Sequence, residues 1–307
     1  MVVSCAKDVE DVGESRDEGR VVAGGYGSDD DRVEIIYVRN KNVLHILERT
    51  NRKHPSDIRV HGAGCGIGLD GIAEAAAKQG AEIAFSYQME GFGKRLAPLA
   101  ESIGSKIMIE CDVAKDGAVD RCFAELATQW PTIDFVVHAL AFSDKNELKG
   151  AYMDTSRENF ENTMMVSAYS FTEVARAARN MMPDGGALVT LSFLGAQRST
   201  PNYNVMGVAK AALEASVRYL AVDLGGQNIR VNALSAGPMR TLAGAAITGA
   251  RHIFRHAEHH APLKRNPGLD EVGRAGLYLV SDLASGVTGE VHFVDGGYNS
   301  VGIPGEA

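Results

Sequence analysis

Cysteine, tryptophan and long apolar runs are all scarce in this chain. Of its 307 residues four are cysteines, Cys5, Cys65, Cys111 and Cys122, and one is tryptophan. No two cysteines form a CxxC pair or take zinc-ligand spacing, so disulfide-stapled scaffolds and zinc modules are excluded. The thiols read as ordinary buried groups in a reduced compartment. No stretch reaches the roughly 18 uninterrupted apolar residues that a membrane-spanning helix needs. Lys7, Asp8 and Glu10 break up the opening residues before an apolar signal-peptide core. Basic residues are outnumbered, 31 Lys and Arg against 39 Asp and Glu, leaving a net charge of −8 that argues against sequence-independent attraction to nucleic acid or anionic lipid. A cytoplasmic enzyme, partnered by neither nucleic acid nor membrane, is the expectation. What is abundant is apolar residues, 45% of the chain, and glycine, 34 residues against nine prolines, which suits one large core with many tight turns.

Composition divides the chain near residue 57. Residues 1–57 read as an N-terminal extension with scattered charge, Gly24-Gly25, the triplet Asp29-Asp30-Asp31 and one apolar patch, Glu34 to Val38 followed by Val43 to Leu47, able to form a short strand and a helical turn. No function is assigned to it. Over residues 58–307, β-branched runs alternate with helical-period segments. The predicted strands are Ile58 to His61, Ala81 to Tyr87, Lys106 to Cys111, Asp134 to Leu140, Ala187 to Ser192, Ile229 to Leu234 and Glu290 to Val294. Long helices are predicted over Arg157 to Met182 and Tyr203 to Leu224. Each parallel return needs a helical crossover, so the expectation is an α/β protein with a single Rossmann-type, doubly wound, seven-stranded parallel sheet and helices on both faces.

The first predicted strand runs into Gly62-Ala63-Gly64-Cys65-Gly66-Ile67-Gly68 and then a helix. Glycines there let a pyrophosphate approach backbone N–H groups at a helix N-terminus, where the dipole favours anions. A plain glycine-rich connector is the alternative. Ligands in doubly wound sheets lie at the carboxyl ends of strands. Gln88, after the second such strand, has an amide suited to an adenosine ribose, and Asp112, after the third, a carboxylate suited to the adenine amino group. A turn or helix cap explains Asp112 equally well. No arginine directly follows the glycine turn or the second strand, which favours NADH, with NADPH kept possible by Lys94 and Arg95.

The strongest constellation is Tyr203 and Lys210, separated by six residues. Seven positions make about two helical turns, so phenol and ammonium project from one face. A nearby cation is expected to favour the phenolate and sharpen hydrogen-bond donation. A surface Tyr and Lys on an amphipathic helix is the bland alternative, disfavoured by the preceding glycine turn and strand. His252, His256, His259 and His260 include i, i+4 pairs, but no HExxH motif accompanies them, so a solvated helix face rather than a metal site is expected.

Residues 58–307 resemble the enoyl-[acyl-carrier-protein] reductases of bacterial fatty acid synthesis, a divergent branch of the short-chain dehydrogenase/reductase superfamily. The resemblance is carried by Ala81 to Gln88, Ile109 to Val113, Phe142 to Gly150, Pro201 to Arg218, Arg230 to Ala243 and Ser281 to Gly297, and by the six-residue Tyr-to-Lys spacing with Met206 inside it. It implies hydride transfer from NADH to the β carbon of a trans-2-enoyl thioester on acyl carrier protein, by a homotetramer. Tyr203 is then the donor to the thioester oxygen, Lys210 orients cofactor and charge, and Met206 and Ser143 lie near the substrate. The implied cofactor contacts are Gly62, Gly66, Ile67, Gly68, Gln88, Asp112, Val113, Leu140, Lys210, Met239, Arg240, Thr241, Leu242 and Ala243. The sequence departs from the family in having Phe193 where many members have a second tyrosine; Phe193 is expected to shape the acyl pocket. It also has Ala141 for a usual glycine, and a more glycine-rich first turn. A 3-oxoacyl or carbonyl reductase of the same superfamily and a non-catalytic dinucleotide-binding regulator are the alternatives.

Overall fold

The computed structural model describes the backbone of residues 35–39, together with residues 69–239 and 250–303. In chain order the main elements are β1 (Ile35–Arg39), α1 (Leu69–Ala77), β2 (Glu82–Tyr87), α2 (Glu90–Ser102), β3 (Ile107–Glu110), α3 (Ala118–Gln129), β4 (Phe135–His138), α4 (Arg157–Met164), α5 (Ser170–Ala178), β5 (Gly186–Ser192), α6 (Asn204–Gly225), β6 (Ile229–Ala236), α7 (Ala250–His260), α8 (Leu269–Val280) and β7 (Val291–Val294). The strands lie in the order β3-β2-β1-β4-β5-β6-β7. Strands β2 to β7 run parallel to one another, with helices in the crossovers between them.

One expectation about the sheet is corrected. The predicted opening strand, Ile58 to His61, lies outside the described residues, and the place between β2 and β4 is taken by β1, which pairs antiparallel with both neighbours. The sheet is therefore not all parallel. The apolar patch Glu34 to Val38 had announced a strand, but an alternation of apolar side chains carries no information about strand direction.

Both faces of the sheet are covered because successive strand residues point opposite ways. Ile83, Phe85, Phe135, Val137, Ala187 and Val189 pack under α1, α2 and α8. Ala84, Val136 and Leu188 pack under α3, α5 and α6 through Phe123, Leu126, Phe171, Leu213 and Val217. Helices α1 and α8 touch at near-backbone distance, since a Cβ added to Gly273 would strike the Gly71 backbone and one added to Gly276 would strike the Ile72 side chain. Backbone cannot swing aside as a flexible side chain can. Gly273→Ala is therefore expected to destabilise the protein by about 2 kcal/mol through overpacking, read as a lower urea midpoint at unchanged m.

The predicted helix from Arg157 to Met182 is interrupted. Between α4 and α5 the chain makes a π-helical segment, Met165–Tyr169. A wider turn shifts the register of the side chains that follow it, which turns Ser167 and Ser170 inward while Met165 and Tyr169 stay exposed. Amphipathic spacing alone cannot show such a shift. The Ser170 Oγ and the Thr190 Oγ1 each sit 2.9 Å from a ring nitrogen of the fully buried His138, tying α5 and β5 to β4. Burial pushes the His138 imidazole down to about 3, so it stays neutral and serves as a cross-link.

Candidate active site

The carboxyl ends of β2 to β5 converge on one edge of the sheet, and the side chains expected there are in place. Gln88 is buried immediately after β2. Asp112 and Val113 follow β3, where the Asp112 carboxylate accepts from the Ala114 N–H at 3.2 Å and faces Lys115 at 3.5 Å. The turn-capping role weighed for Asp112 is thus real. Leu140 lies two residues beyond β4 and is buried, and Met239 follows β6 and is buried. Gly62, Gly66, Ile67, Gly68, Arg240, Thr241, Leu242 and Ala243 lie outside the described residues. The two cations considered for a cofactor phosphate are engaged on α2: Lys94 pairs with Glu90 at 2.8 Å, and the Arg95 guanidinium stands 5.4 Å from the Phe92 ring centre.

Helix α6 brings the reactive pair in. Tyr203 is its N-cap residue and Lys210 sits two turns along, and both are buried. Lys210 Nζ donates to the Leu191 carbonyl at 2.8 Å and the Leu140 carbonyl at 3.3 Å. An ammonium has three protons, so these bonds leave one N–H for a ligand. Burial pulls Lys210 down to about 8, with Glu214 opposing.

Tyr203 behaves differently from expectation. Instead of being drawn toward ionisation by Lys210, its phenol is held above the usual tyrosine value, chiefly by burial and secondarily by the Glu214 carboxylate. Desolvation dominates because the phenolate would lie in a nearly dry site. The hydroxyl therefore keeps its proton at every working pH, as a hydrogen-bond donor must.

Phe193 packs against Tyr203. Its ring meets that of Tyr203 edge-on, with centres 5.1 Å apart, and the turn Leu194–Ala196 that follows lies against α6. A Cβ at Gly195 would overlap the Tyr203 ring. Gly195→Ala should therefore displace the phenol and lower kcat by about 10- to 100-fold, since a displacement of about 1 Å near the chemistry has costs of that order. NADH affinity measured alongside should hold if the effect is confined to the phenol.

Beneath the pair, Met206 is fully buried, and its sulfur lies 3.7 Å from the Ser167 Oγ. That hydroxyl also accepts from the Phe142 N–H at 2.8 Å and donates to the Phe142 carbonyl at 3.0 Å, fixing the segment after β4. Ser143 is buried beside Asn159, which also accepts from the Asp144 N–H at 2.9 Å. Sequence reasoning missed Ser167, Asn159, Ser192, Gln197 and Glu214. Of these, only Glu214 had a usable signal, a carboxylate one turn after Lys210 on its own helix.

On the other side of Phe193 opens a cavity of about 350 Å³. Leu194, Pro201, Ile253 and Val301 give it an apolar wall, while Arg198, His252 and His256 add polar groups. The α7 histidine rings lie close together, His256 stacking on His252 at 6.0 Å and meeting His260 at a tilt with ring centres 4.3 Å apart. Among the described residues no group of His, Cys, Asp or Glu is arranged to hold a metal ion.

This arrangement has close counterparts. Residues 62–299 match the family model described as enoyl-(acyl carrier protein) reductase. Enoyl-[acyl-carrier-protein] reductase [NADH] 1 of Rhizobium meliloti (strain 1021) is 57% identical over 233 residues, covering 76% of this chain and 86% of that protein. The Escherichia coli (strain K12) enoyl-[acyl-carrier-protein] reductase [NADH] is 46% identical over 230 residues, covering 75% and 88%. Among solved structures, an acyl-carrier-protein reductase of this type from Anaplasma phagocytophilum in complex with NAD superposes with a TM-score of 0.74 at 56% identity, covering 77% of this chain and 90% of that one. A Tyr and Lys two turns apart on α6, beneath converging strand ends, thus agree with a match across most of the chain: this protein belongs to the enoyl-(acyl carrier protein) reductase family.

Proposed function

We propose that this protein reduces the trans-2 double bond of enoyl-acyl carrier protein thioesters with NADH in fatty acid elongation. The observation that carries the reading is a buried, protonated Tyr203 phenol and a buried Lys210 ammonium on one helix, the ammonium with one proton to spare. That spare donor fits the hydroxyls of a nicotinamide ribose, and buried Gln88, Val113 and Leu140 and half-buried Asp112 stand where the adenosine end of a dinucleotide would cross the strand ends. In this reading Gly62, Gly66, Ile67 and Gly68 hold the pyrophosphate, and Met239 to Ala243 flank the nicotinamide. That no arginine directly follows the glycine turn or β2 supports NADH over NADPH.

NADH, when bound, would supply a hydride to the β carbon and leave as NAD+, and the resulting enolate would take a proton from solvent at the α carbon. Tyr203 donates to the thioester oxygen, on which negative charge grows as that carbon is reduced. Lys210 orients the ribose and keeps a positive charge beside the developing anion. Phe193 excludes water and shapes the acyl pocket, with Met206 behind it and Ser143 bounding the substrate side. The cavity beyond Phe193 offers an apolar path for the chain.

The catalytic domain is taken as residues 58–307, with β1 supplying an antiparallel strand to a seven-strand, doubly wound sheet. Assembly as a homotetramer is supported by exposed Met165 and Tyr169 beside α4 and by Tyr219 and Val222 on α6, apolar side chains with no covering layer among the described residues. The buried, reduced thiols of Cys111 and Cys122 suit a reducing cytoplasm.

The test is loss of NADH absorbance with crotonyl-coenzyme A or an enoyl carrier-protein substrate. No turnover with NADH or NADPH rejects the proposal, and activity on a β-keto thioester alone would select a 3-oxoacyl reductase.

A further inference from the structure

Glu214 is a buried carboxylate with no role in the mechanism above. It lies one helical turn beyond Lys210. Its Oε1 accepts from Ser192 Oγ at 2.6 Å and its Oε2 from Gln197 Nε2 at 2.9 Å. Both oxygens act as acceptors, the hydrogen-bonding state of an ionised carboxylate. The residues held are informative. Lys210 binds the carbonyl of Leu191, Glu214 binds the next residue, Ser192, and Gln197 closes the turn whose first member, Phe193, covers Tyr203. Two successive turns of α6 thus clamp two successive residues at the end of β5.

The charges around Lys210 are few. On α6 and its N-cap the titratable neighbours are Glu214 and Tyr203; on β4 there is His138; the end of β5 contributes only Thr190, Leu191 and Ser192. His138 is neutral and the phenol keeps its proton. Among these neighbours, Glu214 therefore supplies the negative charge. We propose that Glu214 is a positioning residue for the reduction, holding the Ser192–Gln197 turn over Tyr203 and serving as the buried counter-charge of the Lys210 ammonium. This rests on the assignment of Tyr203 and Lys210 made above.

A purely structural Glu214 and a counter-charge differ in their pH behaviour. In the full-length protein, NADH affinity and kcat/KM with crotonyl-coenzyme A are expected to fall as pH rises and Lys210 loses its proton. Glu214→Gln keeps the shape but removes the charge, and should move that limb toward acid by about one unit or more. Lys210→Arg, whose guanidinium stays protonated, should remove the limb altogether. A limb that disappears in Lys210→Arg but does not move in Glu214→Gln overturns the counter-charge proposal and leaves the site assignment standing. A limb that persists in Lys210→Arg overturns both. If Glu214→Gln does not fold, Glu214→Asp decides. Charge retained with a shorter reach should lower kcat while leaving the limb near its parental position, and a limb displaced by about a unit or more in that variant contradicts the proposal.

Discussion

Tyr203→Phe will reduce enoyl thioester about 10²- to 10³-fold more slowly than the parent protein, with NADH affinity unchanged. The size follows from what the hydroxyl does and where it does it. A donor aimed at an oxygen that gains charge only in the transition state lowers the barrier without tightening substrate binding, so the loss should fall on kcat rather than KM. The site makes the donor effective because Tyr203 is buried beside Phe193 and little water remains to compete. The substitution is also clean. Phenylalanine keeps the ring that packs against Phe193 and fills the space left by Gly195, so only one O–H is removed. Because burial and Glu214 hold the phenol above its ordinary value, the parent should show no loss of activity from Tyr203 ionising within the working range. Steady-state kinetics with crotonyl-coenzyme A, paired with a fluorescence titration of NADH, checks both parts. Equal kcat in parent and variant would remove Tyr203 from the mechanism and leave the fold untouched.

How much of this could be read from the sequence depended on whether the information was local. The six strands from β2 to β7 were legible as short β-branched runs, and Tyr203 and Lys210 as a spacing on one helix, because periodicity and spacing are properties of neighbouring residues. Strand direction is not such a property, so β1 was visible as an apolar patch at Glu34 to Val38 while its antiparallel place between β2 and β4 was not. The π-helical segment at Met165–Tyr169 was hidden for a related reason: an extra residue in one turn leaves the average helical pattern almost intact. Electrostatics was the least legible. The sequence places Lys210 near Tyr203 and suggests an easier phenolate, yet the tertiary fold buries both, and desolvation, aided by Glu214 on the same helix, reverses the sign. Ser167, Asn159, Ser192 and Gln197 act through partners 16 to 39 positions away, as in Ser167 with Met206 and Ser143 with Asn159, and no window of local sequence contains such pairs.

Lys210→Met should separate cofactor binding from stability. The ammonium is charged at neutral pH yet sits where burial pulls it down to about 8 from an unfolded-chain value of 10.5. Below about 8 both folded and unfolded chains hold the proton, and the folded state carries the full desolvation cost. Between about 8 and 10.5 the unfolded chain binds more protons than the folded one, so stability contributed by this site rises with pH through that window. The span corresponds to about 3 kcal/mol. Methionine has a similar volume and no charge, so the variant is relieved of that cost at neutral pH. It also leaves the Leu140 and Leu191 carbonyls without their donor, at about 1–3 kcal/mol each if they stay dry. These opposing effects are of equal order, so the neutral-pH stability of the variant should lie close to that of the parent. The pH dependence does not cancel: relative to Lys210→Met, the parent should gain about 3 kcal/mol in urea unfolding as pH rises across the window. Cofactor binding has no such compensation, because methionine offers no donor to a ribose, and NADH affinity should fall at least about tenfold, the loss of one charge-assisted hydrogen bond. A stability difference that stays flat with pH would show that Lys210 titrates as it does in water, and hence that this end of α6 is wetter than the buried contacts of Lys210 with Leu140 and Leu191 indicate.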